Sequence, residues 1–235
     1  MNNVDLDYAK ANNIEVKNVA GYSTSSVVQL GFSMIFYFVQ KLNYYKNYVD
    51  EQNWQKSDTF THIDKPFFEL DNKRVGIIGL GEIGRYFEKK AKAFNCEVVY
   101  YSTSGQNTNN EYKSVTLEQL LKTSDIISIH APLNSKTKDL LGYKELNLLK
   151  DGAILLNLGR GGIINEPDLA RILDEKNIFC GLDVVSKEPI EESNPLLKVV
   201  NKQRLVMTPH IAWASVEART RLIEKVAKNI EDFLK

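Results

Sequence analysis

Hydrophobic positions along the chain fall into two regimes that change near residue 73. Beyond it, short apolar runs alternate with stretches of helical spacing: VGIIGL (75–80), EIGRYFEKKAKAF, EVVYY (97–101), SVTLEQLLKTS, DIISIHAP (125–132), YKELNLLKDG, AILLNL (153–158), EPDLARILDEKN, IFCGLDVV (178–185) and RLVMTP (204–209). Runs this short and this apolar read as strands covered on both faces, and the stretches between them as helices. The rhythm predicts six strands in β-α-β alternation. It is that of an α/β, doubly wound parallel sheet (Rossmann architecture) with right-handed crossovers. A long helix follows from about Ser215.

The first seventy residues lack that rhythm. Residues 5–12 read as a short helix, 14–19 as one strand, 23–49 as one long helix, and the remainder to Asp71 as an aromatic-rich irregular connection. A lone strand leaves its backbone groups unpaired, so 14–19 is expected to join a sheet that the chain does not otherwise encode. Residues 27–39, VVQLGFSMIFYFV, are apolar almost all round, interrupted by Gln29, Gly31 and Ser33. They are too few for the roughly 20 residues of a membrane span and predict a buried helix that needs a partner surface, such as a subunit interface. The loop 102–110, STSGQNTNN, reads as a solvated linker.

Composition narrows the picture. With 235 residues, 43% of them hydrophobic, the chain can bury a core. Thirty basic residues balance thirty acidic ones, so no net field favours nucleic acid or an anionic membrane. Cys96 and Cys180 stand far apart in apolar runs, without the spacing of a metal or redox site. No metal site is expected, and the start carries no secretory signal pattern, which makes a cytoplasmic small-molecule protein the simplest expectation.

Gly79-Leu80-Gly81-Glu82-Ile83-Gly84 follows an apolar strand and opens a helix. In that context glycines permit a tight turn, backbone approach to a pyrophosphate and close helix–strand packing, with the helix N-terminus attracting phosphate. The acidic residue expected about 20 positions on is missing, since the second strand ends Tyr100-Tyr101-Ser102-Thr103. Ser102 can still bond a ribose hydroxyl, and no arginine stands at Thr103 or Ser104, so NAD is weakly preferred and NADP possible. Three further segments place polar groups just past strand ends: NLGRGG with Arg160, DVVSKEP with Asp183 and Glu188, and TPHIAW with His210. Together they supply a carboxylate-binding cation, an acid–base imidazole and an acid to orient it.

These motifs carry a resemblance. Through NVAGYSTSSVVQ, GIIGLGEIGR, SIHAPLNSKT, LLNLGRGGIIN, GLDVVSKEP with NPL, and TPHIAWAS, the chain resembles the D-isomer-specific 2-hydroxyacid dehydrogenases, most closely the glycerate dehydrogenase/hydroxypyruvate reductase group. The resemblance implies reduction of a small 2-oxo acid, hydroxypyruvate or glyoxylate, with NAD(P)H. It gives Arg160 the substrate carboxylate, His210 the proton transfer, and Glu188 the second ring nitrogen of that histidine. Gly79, Gly81, Glu82, Ile83 and Gly84 would hold the pyrophosphate, and Asp183 would contact the nicotinamide end. Leu158, Gly159 and Arg160, with Pro132 nearer the adenine, would line the cofactor cleft beside Ser102 and His210. His130 would be cleft wall, and His62 has no assigned role.

The family's chain begins upstream of NVDLDYA, and Met1-Asn2-Asn3 falls within or just after a loop that meets the substrate carboxylate. The expected division is therefore a remnant of a flavodoxin-like substrate domain at 1–22, a linking helix and connector at 23–72, the NAD(P)-binding domain at 73–214, and a helix returning toward the substrate domain at 215–235. A homodimer is implied, with the cofactor domain and helix 23–49 at its interface. The alternative to an enzyme is an NAD-binding remnant acting as an interaction or regulatory protein.

Overall fold

Seven parallel strands form one sheet in the computed structural model, which describes residues 4–105 and 112–235. In chain order the elements are α1 (Leu6–Ala11), α2 (Thr24–Val39), α3 (Leu42–Asp50), β1 (Arg74–Ile78), α4 (Glu82–Ala93), β2 (Glu97–Tyr101), β3 (Lys113–Ser114) and α5 (Leu117–Thr123). They continue with β4 (Ile126–Ile129), α6 (Tyr143–Asn147), β5 (Ile154–Asn157), α7 (Glu166–Glu175), β6 (Phe179–Leu182), β7 (Leu205–Met207) and α8 (Val216–Leu234). The sheet order is β3-β2-β1-β4-β5-β6-β7, and every neighbouring pair is parallel.

The six expected strands are present; β2 matches its run and the other five are shorter than theirs. The seventh, β3, is a two-residue exposed edge strand whose Lys-Ser composition carries no strand signal. The expected Met1-Asn2-Asn3 loop and residues 106–110 of the polar linker lie outside the described residues.

Strand order sets where a ligand can enter. From β1 the chain winds outward to β2 and β3, then returns to β4 on the other side of β1 and winds away to β7. The crevice where the winding reverses lies at the carboxyl ends of β1 and β4. Side chains alternate between two cores. Ile78, Ile127, Ile129 and Leu155 pack under α5, α6 and α7. Ile77, Ile154 and Leu156 pack under α2 and α4.

Helix α2 finds its partner surface within the chain. Its buried face, from Val27 and Val28 to Phe38 and Val39, lies on β5, β6 and α4. Ser25, Gln29, Ser33 and Tyr37 form the exposed i, i+4 stripe, which explains two of the three interruptions in the apolar run. The third, Gly31, lets the Phe87 ring approach: a Cβ there would stand 3.0 Å from it. Helix 23–49 is corrected to two helices, because Lys41 adopts the left-handed conformation at φ 52°. The freed carbonyl of Val39 accepts the Phe68 N–H at 3.4 Å, so the connector ends α2 where no glycine or proline does.

The strand expected at 14–19 does not form. Its neighbourhood is α8 instead: Arg221 Nε donates to Tyr22 O at 3.0 Å, Lys225 Nζ to Ala20 O at 2.9 Å and Asn229 Nδ2 to Asn18 O at 3.4 Å. Cationic and amide side chains thus meet backbone acceptors at residues 18, 20 and 22, the first of them within the expected strand. Both cysteines are free and buried, and burial pushes their thiol pKa values up. Among the described residues no helix is long and apolar enough to cross a membrane, and no group of three His, Cys, Asp or Glu could hold a metal.

Candidate active site and cofactor cleft

The glycine fingerprint forms the turn from β1 into α4. Gly79 has φ +91°, and a Cβ there would lie 2.7 Å from Ala131 N, so both conformation and space require glycine. Gly84 packs under the same turn, where a Cβ would be 2.5 Å from Gly79 O. Gly81 differs: a Cβ on it would meet nothing within 4 Å, so packing inside the chain does not account for it. Gly81 also N-caps α4 without a side-chain acceptor, which leaves first-turn N–H groups for an anion.

A cleft of about 440 Å³ opens at this turn, lined by Gly79, Leu80 and Gly81 after β1, residues 102–104 after β2, and His130, Pro132 and residues 134–136 after β4. This is the topological switch point. Of the expected cofactor residues, Gly79, Gly81, Ser102 and Pro132 line it. Glu82 turns its carboxylate away, accepting from Thr24 Oγ1 at 2.7 Å. Ile83 packs against the α2 core, and Leu158 is buried in that core, so neither side chain lines the cleft. His130 is wall: its Nε2 lies 3.0 Å from Ser128 Oγ, and burial lowers its pKa to about 3, keeping the ring neutral.

Farther along the sheet's carboxyl edge, His210 and Glu188 meet. His210 Nδ1 lies 2.7 Å from Glu188 Oε2, although the residues are 22 positions apart. Two anchors aim the pair. Glu188 Oε1 accepts the Val185 N–H at 3.1 Å. His210 takes the left-handed backbone conformation, φ 53°, with its N–H directed to Asp183 O at 2.9 Å. Asp183, only 1% exposed, organises the loop around it, accepting from Thr208 Oγ1 at 2.5 Å, Ile211 N at 2.9 Å and Ala212 N at 2.7 Å. A backbone conformation that is uncommon for histidine is thereby held by three hydrogen bonds to one carboxylate.

Arg160 is exposed, its NH1 donating to Gly159 O at 2.8 Å. Its turn is fixed by Asn157, whose Nδ2 donates to Arg160 O at 2.8 Å while its Oδ1 accepts the Gly159 N–H at 3.2 Å. A second tie joins the Arg160 turn to the Glu188 loop. At Gly161 a Cβ would stand 2.0 Å from Val185 O, so the two backbones touch. Glu166 then clamps the loop: Oε1 accepts the Ser186 N–H at 2.5 Å and Oε2 the Asn194 Nδ2 at 2.7 Å. Asn157, Thr208 and Glu166 are absent from the residues expected from sequence. Their signal was weak: each is a polar residue in or beside one of the motifs, and what makes it informative is burial for Asn157 and Glu166 and the bond to buried Asp183 for Thr208.

The comparisons with known proteins agree with this layout. Residues 32–212 match the model of the D-isomer specific 2-hydroxyacid dehydrogenase NAD binding domain. The chain belongs to the D-isomer specific 2-hydroxyacid dehydrogenases. It is similar to the hydroxypyruvate reductase of Blautia hydrogenotrophica, 38% identical over all of this chain and 73% of that protein. It is 34% identical to the glycerate dehydrogenase of Methylorubrum extorquens over 98% of this chain and 72% of that one. Among solved structures, the D-lactate dehydrogenase of Aquifex aeolicus complexed with NAD and lactic acid superposes with a TM-score of 0.85, at 28% identity, covering 98% of this chain and 72% of that chain. This dehydrogenase thus spans about three quarters of the relatives' length. Its cofactor class is NAD, and the open Gly81 and the uncapped start of α4 fit the pyrophosphate of such a dinucleotide.

Proposed function

We propose that this dehydrogenase reduces a small 2-oxo acid, hydroxypyruvate or glyoxylate, to the D-2-hydroxy acid, with His210 as the acid–base residue. The observation that carries the reading is the 2.7 Å contact of His210 Nδ1 with Glu188 Oε2 on a loop pinned by Asp183. When bound, the reduced nicotinamide supplies the hydride. His210 gives the proton from Nε2 to the substrate carbonyl oxygen, and Glu188 holds Nδ1–H so that the ring keeps one orientation. Arg160 grips the substrate carboxylate with a planar pair of N–H donors that a lysine lacks. Asp183 sets the loop from which His210 projects, near the nicotinamide end of the site. Gly79, Gly81, Glu82, Ile83 and Gly84 present the turn and helix start to the pyrophosphate, and Ser102, Pro132, Leu158 and Gly159 belong to the cleft's wall and its backing.

The test is NADH or NADPH oxidation with hydroxypyruvate and glyoxylate, beside dinucleotide binding by fluorescence. His210→Gln should lower turnover by about 10²–10⁴-fold and leave binding within about twofold. Binding without oxidation of any small 2-oxo acid by the unaltered protein would replace this reading with that of a cofactor-binding interaction protein.

A homodimer in the cytoplasm completes the proposal. With α2 covered by its own sheet, the surface we assign to a second copy is α3 and the connector, where Leu42, Val49, Trp54, Phe60 and Ile63 are 50–90% exposed. His62 is stacked there on Tyr48 at 3.7 Å, with Tyr44 Oη 2.9 Å from its Nε2. Light scattering should give twice the chain mass, and Phe60→Asp should reduce it to one.

A further inference from the structure

A second cavity opens at the opposite edge of the sheet, where the strands begin. About 460 Å³ in volume, it lies between the end of α2, the returning connector at residues 65–70 and the starts of β4, β5 and β6. That volume is ordinary for a small-molecule site. None of the residues assigned to the cofactor or to catalysis lines it. Much of its lining is apolar: Phe38 and Leu70 are buried, Phe179 is half-buried with its ring centre 5.4 Å from that of Phe38, and Phe68 is exposed.

Three lysines, Lys41, Lys65 and Lys73, line the same space. Each meets an aromatic ring: Lys41 Nζ stands 4.1 Å from the Phe179 centroid, Lys73 Nζ 5.6 Å from that of Phe68 and Lys65 Nζ 5.7 Å from that of Tyr44. Among the described residues no carboxylate pairs with any of the three. The acids in the lining are Glu69, Asp125 and Asp151. Asp125 is already engaged, taking the Lys150 ammonium on Oδ1 and the Arg74 N–H on Oδ2 at 2.8 Å. Asp151 accepts from Asn177 Nδ2 at 3.1 Å, and Glu69 is exposed.

Lys41 is the member that backbone geometry explains least. It follows the cap of α2 in the left-handed conformation, φ 52°, where glycine or asparagine is the usual choice. The side chain is half-buried, and burial holds its pKa below the ordinary lysine value. A ring face attracts a cation less strongly than an anion does, so the desolvated charge is left under-compensated.

We propose that this cavity is a second ligand site, for a small aromatic carboxylate whose anionic group meets Lys41, Lys65 and Lys73 and whose ring lies among Phe68, Phe179 and Leu70. Unpaired cations beside an aromatic lining are complementary to an anion joined to a flat apolar body, and both halves of such a molecule find a partner. The site is independent of the dinucleotide cleft and of turnover.

The experiment is isothermal titration calorimetry of the full chain, with cinnamate as the probe and cinnamyl alcohol as its neutral counterpart. The unaltered protein should bind one cinnamate per chain, about tenfold or more tighter than the alcohol, and the difference should shrink as ionic strength rises. Lys41→Gly removes the ammonium while suiting the left-handed backbone. It should weaken cinnamate about tenfold and leave the alcohol within about twofold, the loss of about one hydrogen bond to a charged group. NADH at saturation should not displace cinnamate. No binding of cinnamate, equal affinity for the two probes, or a Lys41→Gly variant that shifts both equally or neither would overturn the proposal, as would displacement by NADH. Cinnamate affinity that rises as the chain is diluted would overturn it too, by showing that a second copy covers the cavity.

Discussion

The sheet with its covering helices and the pair made by residues 4–22 and α8 are held together by different physics. In the sheet, Ile77, Phe87, Ile127 and Leu155 are completely buried. On α8 the single buried residue is Ala218, while Ile223 is 68% exposed, Ile230 55% and Phe233 60%. What joins α8 to the N-terminal segment is polar: residues 221, 225 and 229 bond the carbonyls of residues 22, 20 and 18. Four residues of helix rise about 6.0 Å and two residues of extended chain about 6.6 Å, so side chains one helical turn apart can address alternate carbonyls. Trp213 adds an edge-on contact with Tyr22, ring centres 6.4 Å apart. Burial makes the first region stable by itself. The second is a zip of individually weak bonds, with its apolar stripe facing out.

Substitutions should separate the two regions, the largest losses falling in the sheet. Leu155→Ala should cost about 2–5 kcal/mol in urea unfolding, as transfer and cavity terms add. Glu166→Ala, which leaves the Ser186 N–H and the Asn194 amide without acceptors, should cost about 1–3 kcal/mol and lower turnover by releasing the Glu188 loop. The pH dependence carried by His130 comes next. Its imidazole titrates near 3 in the folded chain and near 6.5 when unfolded, so between those values the unfolded state holds the extra proton. Stability then rises with pH and is lost as pH falls from about 6.5 toward 3. Replacing His130 with Gln should flatten urea midpoints measured at pH 7, 5.5 and 4.5, and an unchanged slope would show that the ring is already hydrated.

The weaker region should respond less. Combined Arg221→Ala, Lys225→Ala and Asn229→Ala substitution should cost about 1 kcal/mol or less, yet speed amide exchange in residues 14–22 without touching β5. Ile223→Ala should stay within about 0.5 kcal/mol. A loss above about 1 kcal/mol there would mean that another surface covers α8 in solution, and the contrast between the regions would narrow.

Legibility followed the same divide. The strands of the sheet were readable because each is a continuous apolar run, and a run buried on both faces has no other stable setting in a small domain. The edge strand β3 was not, since its two exposed polar residues pair only because β2 presents its outer edge at Val99 and Tyr100. The break between α2 and α3 was invisible for a similar reason: Lys41 carries no helix-stopping chemistry, and the halt comes from Phe68, 27 positions on, taking the Val39 carbonyl. At the site, Arg160, Glu188 and His210 stood out as polar groups after strand ends. Asn157, Thr208 and Glu166 did not, because a polar residue announces its role only once the fold shows its hydrogen-bond partners, here through the burial of Asn157, Glu166 and of Asp183, which Thr208 bonds.

By itself the sequence determined the alternation of strands and helices, the glycine turn and the residue types at the sheet's carboxyl edge, since all of these follow from local pattern and side-chain chemistry. Tertiary structure decided the rest. It brought His210 to within 2.7 Å of Glu188, gave Asp183 three donors and buried α2 against its own sheet. The physical reason is that these contacts join residues distant in sequence, and only packing the sheet brings the strand ends that carry them onto one edge.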